Sequence, residues 1–281
     1  TTDDMLKGSL LITLHENLQN RTLKAEPFLQ VLIAYAKQEK NDLLYSMALG
    51  YISPAVRFLP VRPDGLEHAL WQLVTGGITP GRRLQAFRQY VSLAESEQAA
   101  AQLYQIWEKR ELEGKPLSER DEINLSYQLA IRLPEKADEI VNEQLKRISN
   151  PDRQAEYRFI SPSVSPRKEV RDSVFEALLV ADNRRIEPWA STALSLLNHR
   201  LREAESVEYI LPALEILEEV QRTGDIFFPT AWLRALLGGN SSVQARDEVE
   251  AFYAEYPDFP EMLLNKIRQQ ADHLYRLHAG E

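Results

Sequence analysis

Apolar positions recur at helical spacing along most of the chain. From Val207 they fall at Val207, Ile210, Leu211, Leu214, Leu217 and Val220, one stripe of a helix, with Glu208, Glu215, Glu218 and Glu219 between them. Gly224 follows as the expected left-handed stop. A second stripe runs through Leu263, Leu264, Ile267, Ala271, Leu274 and Tyr275, with Pro260 at its expected start. Ser241-x-x-Gln244 reads as a capping box, and Gly76-Gly77 and Gly238-Gly239 read as helix C-caps. Near the start, Leu6, Leu10, Leu11, Leu14 and Leu18 share one broad face.

Prolines punctuate these segments. Pro80, Pro116, Pro134, Pro151, Pro188, Pro229 and Pro260 mostly precede a helical pattern. The spacings from Pro80 to Pro116, Pro116 to Pro151 and Pro188 to Pro229 are 36, 35 and 41. Helical-hairpin repeats have periods of roughly 34 to 47 residues. The pattern therefore predicts an all-α chain of about 14 helices, a degenerate α-solenoid whose repeats share pattern and not sequence. No strand alternation persists, and no linker or low-complexity tract divides residues 1–281, so one domain is expected. The stretch 157–166, Tyr-Arg-Phe-Ile-Ser-Pro-Ser-Val-Ser-Pro, holds two prolines and three serines and is expected to be irregular, a connector or a presenting loop.

Composition supports helices. Among 281 residues there are 40 Leu and 27 Ala against 14 Val and 15 Ile, with only 11 Gly. The net charge of −9 argues against a nucleic-acid partner, and the pairs Arg82-Arg83 and Arg184-Arg185 read as solvated helix ends. With no cysteine, disulfides, Cys-ligated zinc and thiol nucleophiles are excluded. Apolar runs reach about five residues, far below the roughly 20 of a membrane span. The opening Thr1-Thr2-Asp3-Asp4-Met5 shows no signal peptide. A soluble protein is expected, its compartment open.

Catalytic motifs depend on residue spacing. His15-Glu16-Asn17-Leu18-Gln19 misses the zinc-peptidase pattern because Gln stands where a second His is required. His273 and His278 are five apart, about 140° around a helix, and do not form a chelating pair. His68 and His199 are isolated, Glu215, Glu218 and Glu219 read as a solvated face, and neither a nucleophile elbow nor a phosphate loop occurs. No catalytic or metal-binding residue is assigned in the chain.

Several segments nonetheless carry a resemblance. They are Tyr209-Ile210-Leu211-Pro212-Ala213-Leu214-Glu215, Gln221-Arg222-Thr223-Gly224-Asp225-Ile226-Phe227-Phe228-Pro229, Trp232-Leu233, and upstream Glu187-Pro188-Trp189, Glu16-Asn17 and Gly50-Tyr51-Ile52. Phe252, Pro257-x-Phe259-Pro260, Leu263-Leu264, Lys266-Ile267 and Asp272-His273-Leu274-Tyr275-Arg276 complete the set. Together they resemble the C-terminal domain of the aminopeptidase N family of zinc peptidases, most densely from about residue 157 onward. The resemblance implies a right-handed superhelical bowl of antiparallel helix pairs, related to armadillo and HEAT repeats. It implies that zinc and the catalytic residues belong to a preceding domain of a longer parent chain, a setting that suits the missing initiator methionine. The bowl would cap the active-site chamber, with that catalytic domain and peptide substrates as partners.

Residue by residue, Asp225 is expected to cap the next helix, Phe227 and Phe228 to fill a hairpin corner, and Trp232 to pack one turn on. Arginines on an inner face suit a peptide carboxylate, and Arg158, Arg167 and Arg171 around the irregular stretch are the candidates. The alternative is a stand-alone helical-repeat scaffold binding protein partners on its concave face. Such a scaffold should end in polar capping helices, whereas the leucine-rich first helix suits docking.

Overall fold

The computed structural model of the chain describes residues 3–279; Thr1, Thr2, Gly280 and Glu281 lie outside, so only the last three residues of the N-terminal opening are described. Among the described residues the fold is all-helical apart from one hairpin of two-residue strands, as the leucine and alanine surplus predicts. The chain divides into two compact units, Thr1–Pro116 and Leu117–Glu281, at a point where composition shows no break.

In the first unit the helices are α1 (Asp4–Gln19), α2 (Ala25–Gln38), α3 (Asp42–Arg57), α4 (Leu66–Thr75), α5 (Pro80–Leu93) and α6 (Glu97–Lys109). Consecutive helices pack as hairpins, α2 on α3 and α4 on α5, while α1 meets α3, α3 meets α5 and α2 meets α4. Packing of alternate helices is how successive hairpins stack, an arrangement compatible with an α-solenoid. Phe28, Leu32, Ile52, Leu70 and Leu103 are almost fully buried between them. Each such side chain contributes roughly 2 kcal/mol of burial. After α6 the strands β1 (Glu111–Leu112) and β2 (Lys115–Pro116) pair antiparallel. Glu113 and Gly114 both have positive φ between them, the geometry of the two-residue turn that matches strand twist.

The second unit holds α7 (Glu119–Arg132), α8 (Ala137–Arg147), α9 (Pro151–Ile160), α10 (Lys168–Leu178), α11 (Glu187–Leu197), α12 (Glu203–Ser206), α13 (Ile210–Glu215), α14 (Leu217–Thr223), α15 (Phe228–Leu237), α16 (Val243–Glu255) and α17 (Glu261–Leu277). Helices α9, α11, α15 and α17 pack in succession, with α7 on α8, α13 on α16 and α16 on α17. The prolines do what was expected of them in most places. Pro80, Pro151, Pro188 and Pro229 occupy first-turn positions, where a missing N–H costs nothing, while Pro260 is the residue just before α17 and Pro116 lies in β2.

A recurring polar device ties one hairpin to the next. Glu67, in the first turn of α4, accepts the backbone N–H groups of Glu95 (2.6 Å) and Ser96 (2.9 Å) just before α6. Glu119 of α7 accepts the Ser149 N–H at 3.1 Å and pairs with Arg153 at 2.6 Å around the start of α9. Glu187 of α11 takes the Asp225 N–H at 2.8 Å before α15. Glu203 of α12 takes those of Ser241 and Ser242, each at 2.6 Å, before α16. Amides at helix starts have no intrahelical acceptor, so an acid from an earlier hairpin satisfies them. The separations, 28 to 39 residues, are close to the proline spacings.

Five local expectations need correction. The stretch 157–166 is mostly helical: α9 runs to Ile160 and a 3₁₀ turn covers Ser161–Val164. Pro162 is tolerated because it stands in the first positions of that turn, which need no N–H. The 207–220 stripe is buried as predicted but is not one helix. It starts as a 3₁₀ turn (Val207–Tyr209), where Pro212 offers the Glu208 carbonyl no N–H, and it breaks at Ile216. Gly224 is extended (φ −108°, ψ −179°), not left-handed. Space is what requires glycine there, since a Cβ would lie 2.5 Å from the Phe228 ring and 3.0 Å from both the Glu187 carboxylate and the Val220 carbonyl. The cap of α16 is Ser242, which accepts from the Ala245 N–H at 3.2 Å, while Ser241 is occupied by Glu203. Finally, Arg82 and Arg184 are buried and not solvated, each donating to backbone carbonyls and to a carboxylate (Asp42 and Glu219 respectively).

Candidate functional site

The three candidate arginines part company in the structure. Arg158 is exposed on α9, and Arg167 is exposed at the residue just before α10. Arg171 is only 3% exposed, which corrects the expectation of a ligand-facing group. Its guanidinium donates to the Ser165 carbonyl at 2.8 Å and the Pro166 carbonyl at 3.0 Å, and pairs with Glu205. Arg202 donates to the Val164 carbonyl at 3.0 Å from its own side. Burial, with Arg171 nearby, lowers the Arg202 pKa to about 10. Two guanidinium groups thus hold the carbonyls that the proline-rich turn leaves without helical donors.

Beside this turn lies a recess of about 60 Å³ that the candidates do not line. Arg120, Ile123, Asn124 and Tyr127 come to it from α7, and Arg153, Glu156, Tyr157 and Ile160 from α9. Its floor is a stacked pair, Tyr127 on Tyr157, with ring centres 5.0 Å apart and planes within 13°. The Tyr157 and Ser126 hydroxyls share a hydrogen bond at 3.0 Å, whereas the buried Tyr127 hydroxyl has no partner. Burial raises the pKa of both tyrosines well above the usual range, so both stay neutral. Arg153 is already neutralised by Glu119, and Arg120 makes no ion pair among the described residues. The unpaired Arg120 guanidinium lining the recess suits a carboxylate, and a volume of this size holds no more. The sequence carried a signal for this recess: Arg120, Asn124 and Tyr127 stand at i, i+4 and i+7, one face of one helix.

The histidines take structural roles. His15 stacks on Tyr51 with ring centres 4.2 Å apart. His273 and His278 dock on consecutive carbonyls, Asn240 at 3.0 Å and Ser241 at 2.8 Å. His199 lies against Gln128 Oε1 at 3.1 Å, and its other ring nitrogen accepts the Leu201 N–H at 3.2 Å. Among the described residues no group of three or more His, Asp or Glu side chains could hold a metal ion. In the acidic cluster, Glu215 accepts from Tyr256 at 3.0 Å and Glu219 binds Arg184, so both belong to packing.

His199 provides a pH test of the second unit. Burial, reinforced by the Arg132 and Arg202 charges, depresses its pKa from 6.5 to about 3. The folded chain therefore keeps the ring neutral while the unfolded chain takes up a proton below pH about 6.5. Stability is unaffected above that pH and falls as pH drops towards 3, by up to about 1.4 kcal/mol per pH unit. His199→Gln should melt below the parent at pH 7, and the difference should shrink steadily on acidification to pH 4. Parallel melting curves at all pH values would mean that the ring takes up its proton as readily in the fold as in the unfolded chain.

No protein-family model matches the chain, and no curated protein matches it. Among the described residues no helix is long and apolar enough to cross a membrane.

Proposed function

We propose that the chain is a non-catalytic C-terminal domain of an aminopeptidase N-type zinc peptidase, capping the active-site chamber and limiting which peptides enter. The observation that supports this most is the meeting of two separate segments that carry the resemblance. Glu187, of Glu187-Pro188-Trp189, bonds the Asp225 N–H, and Asp225 in turn accepts the N–H groups of Phe227 (2.7 Å) and Phe228 (2.9 Å). Gly224 leaves room for Phe228, and Trp232 one turn on donates to the Ala213 carbonyl at 3.1 Å. Phe228 and Trp232 are buried as expected, while Phe227 points to solvent, 72% exposed. The resembling residues therefore form one hairpin-to-hairpin joint.

In this reading the superhelical bowl encloses peptides, and the zinc and its ligands reside in the preceding catalytic domain of the parent chain. Exposed Arg158 and Arg167, with Arg120 at the recess, are the groups that would meet a peptide carboxylate. Arg171 is withdrawn from that role because its donors are spent on the turn. The first helix speaks against a self-standing scaffold: Leu6 and Leu10 on its outer side are about half exposed, not polar as an end cap would be. Sequencing the reading frame upstream tests the proposal. A His-Glu-x-x-His helix with a distal Glu in the same frame is expected, and the isolated chain supplied with zinc should leave an aminoacyl-nitroanilide intact. A frame that opens at this chain, or turnover by it alone, would overturn the reading.

A further inference from the structure

A groove of about 460 Å³ lies wholly within the first unit, between α4 and α6, and neither the resemblance nor the arginine candidates touch it. One wall is α6, which contributes Gln98, Gln102 and Gln105; the other is α4, with His68 and Trp71; Tyr90 of α5 lies beneath. Its size is that of an ordinary ligand site. We propose that this groove binds an extended, uncharged stretch of polypeptide through its main-chain amides, with little regard for side-chain sequence.

Spacing is the first reason. Gln98, Gln102 and Gln105 are at i, i+4 and i+7 and therefore share one narrow face of α6. Their positions rise by about 6 and then 4.5 Å along the helix axis. In an extended chain the groups pointing to one side repeat about every 6.6 Å. A strand laid along α6 thus offers a peptide group to each of Gln98 and Gln102. A carboxamide matches a peptide group on both counts, giving one N–H and accepting another.

Free capacity is the second reason. Gln98 and Gln105 make no hydrogen bond among the described residues. The buried Tyr90 hydroxyl donates to Gln102 Oε1 at 2.9 Å, which fixes that carboxamide and leaves its nitrogen hydrogens to give. The Trp71 indole N–H is likewise without a partner, and its ring rests tilted on Tyr90 with centres 5.2 Å apart. The wall opposite the amides is therefore a rigid aromatic plate with one more donor on its edge. His68 Nε2 is held by the Gln72 carboxamide at 2.8 Å.

Charge is the third. No Lys or Arg lines the groove, and its one carboxylate, Glu67, is consumed by the turn before α6. Nothing there would recognise a chain terminus, a phosphate or a charged side chain. What remains is a row of neutral donors and acceptors, which selects the interior of a peptide over its ends. The groove is complete within residues 67–105 and needs nothing from the domain proposed above, so its test stands apart from the search for a zinc motif.

The test is calorimetric titration of the intact chain with an acetyl- and amide-capped peptide of eight alternating Ser and Ala residues. Saturable binding is expected with a Kd of roughly 0.1–1 mM. The Gln98→Ala/Gln105→Ala double variant removes two exposed side chains, and should bind roughly tenfold more weakly at an unchanged melting temperature. A peptide N-methylated at alternate residues should lose a similar factor against the parent protein, a result that needs no variant to fold. The proposal is overturned by absence of saturation up to about 5 mM, by equal affinity of the N-methylated peptide, or by binding of chitotriose where the peptide does not bind.

Discussion

Gly239→Ala should be among the most damaging single-methyl additions in the chain, costing on the order of 3–5 kcal/mol. A Cβ built on Gly239 lies 1.7 Å from the Asn198 carbonyl oxygen and 3.0 Å from the Asn198 carbonyl carbon. The obstacle is backbone, so no rotamer change relieves it; the end of α15 must move away from the end of α11. Both ends are fixed. Asn198 is 1% exposed and its side chain donates to the Leu194 carbonyl at 3.0 Å, while Asn240 is fully buried and donates to Leu236 O at 2.8 Å. A cost of that size lowers the melting temperature of the second unit by roughly 6–20 °C. The control is the same substitution at Gly50, which sits exposed inside α3 with nothing within 4 Å of its Cβ position. Gly50→Ala should stabilise the first unit by roughly 0.5–1 kcal/mol, because only the entropy of the unfolded chain is at stake. Melting curves of the two variants should shift in opposite directions; a neutral Gly239→Ala would show that the two helix ends are not packed this closely.

That contrast also marks where reading the sequence stops working. Helix starts are local events, so Asn150 and Pro151, or Thr79 and Pro80, announce α9 and α5 without any knowledge of the fold. The stripes through Leu214 and Leu264 locate buried faces for the same reason. Gly224 and Gly239 were legible as helix stops, but the reason for glycine at Gly239 is the Asn198 carbonyl, 41 residues away, and at Gly224 the Glu187 carboxylate, 37 residues away, adds to the local crowding by Phe228 and Val220. The buried arginines are the clearest case. Arg82, Arg171 and Arg184 sit in charged surroundings that look solvated along the chain; their carboxylate partners lie 34 to 40 residues off, one hairpin away. The same distance hides most of the candidate sites. Arg120, Asn124 and Tyr127 share a visible helical face, and so do Gln98, Gln102 and Gln105. What turns either face into a site is the opposing helix, α9 in one case and α4 in the other.

Trp232→Ala should cost about 4 kcal/mol and lower melting of the second unit by roughly 8–15 °C. Trp232 has no exposed surface and packs with its ring centre 6.0 Å from that of Phe228. Its loss opens a large cavity at the joint where α11, α14 and α15 converge. Two polar groups lose their company as well. The Ala213 carbonyl loses the indole N–H at 3.1 Å, next to the break in the 207–220 stripe, and the buried Arg184 guanidinium loses the ring face 5.6 Å away. Arg184 can ill spare it, because its Nε already lacks an acceptor. Trp232→Phe separates the two contributions: it keeps most of the volume and a ring for Arg184 but no N–H, and should cost about 1–2 kcal/mol. If the joint is what the resembling residues have in common, the damage must be cooperative across it. Adding Glu187→Gln, which weakens the hold on the Asp225 turn, should then cost less in the Trp232→Ala background than in the parent. Strict additivity in that double-mutant cycle would mean that Glu187 and Trp232 serve separate contacts, and would remove the main structural support for reading these segments as one inherited joint.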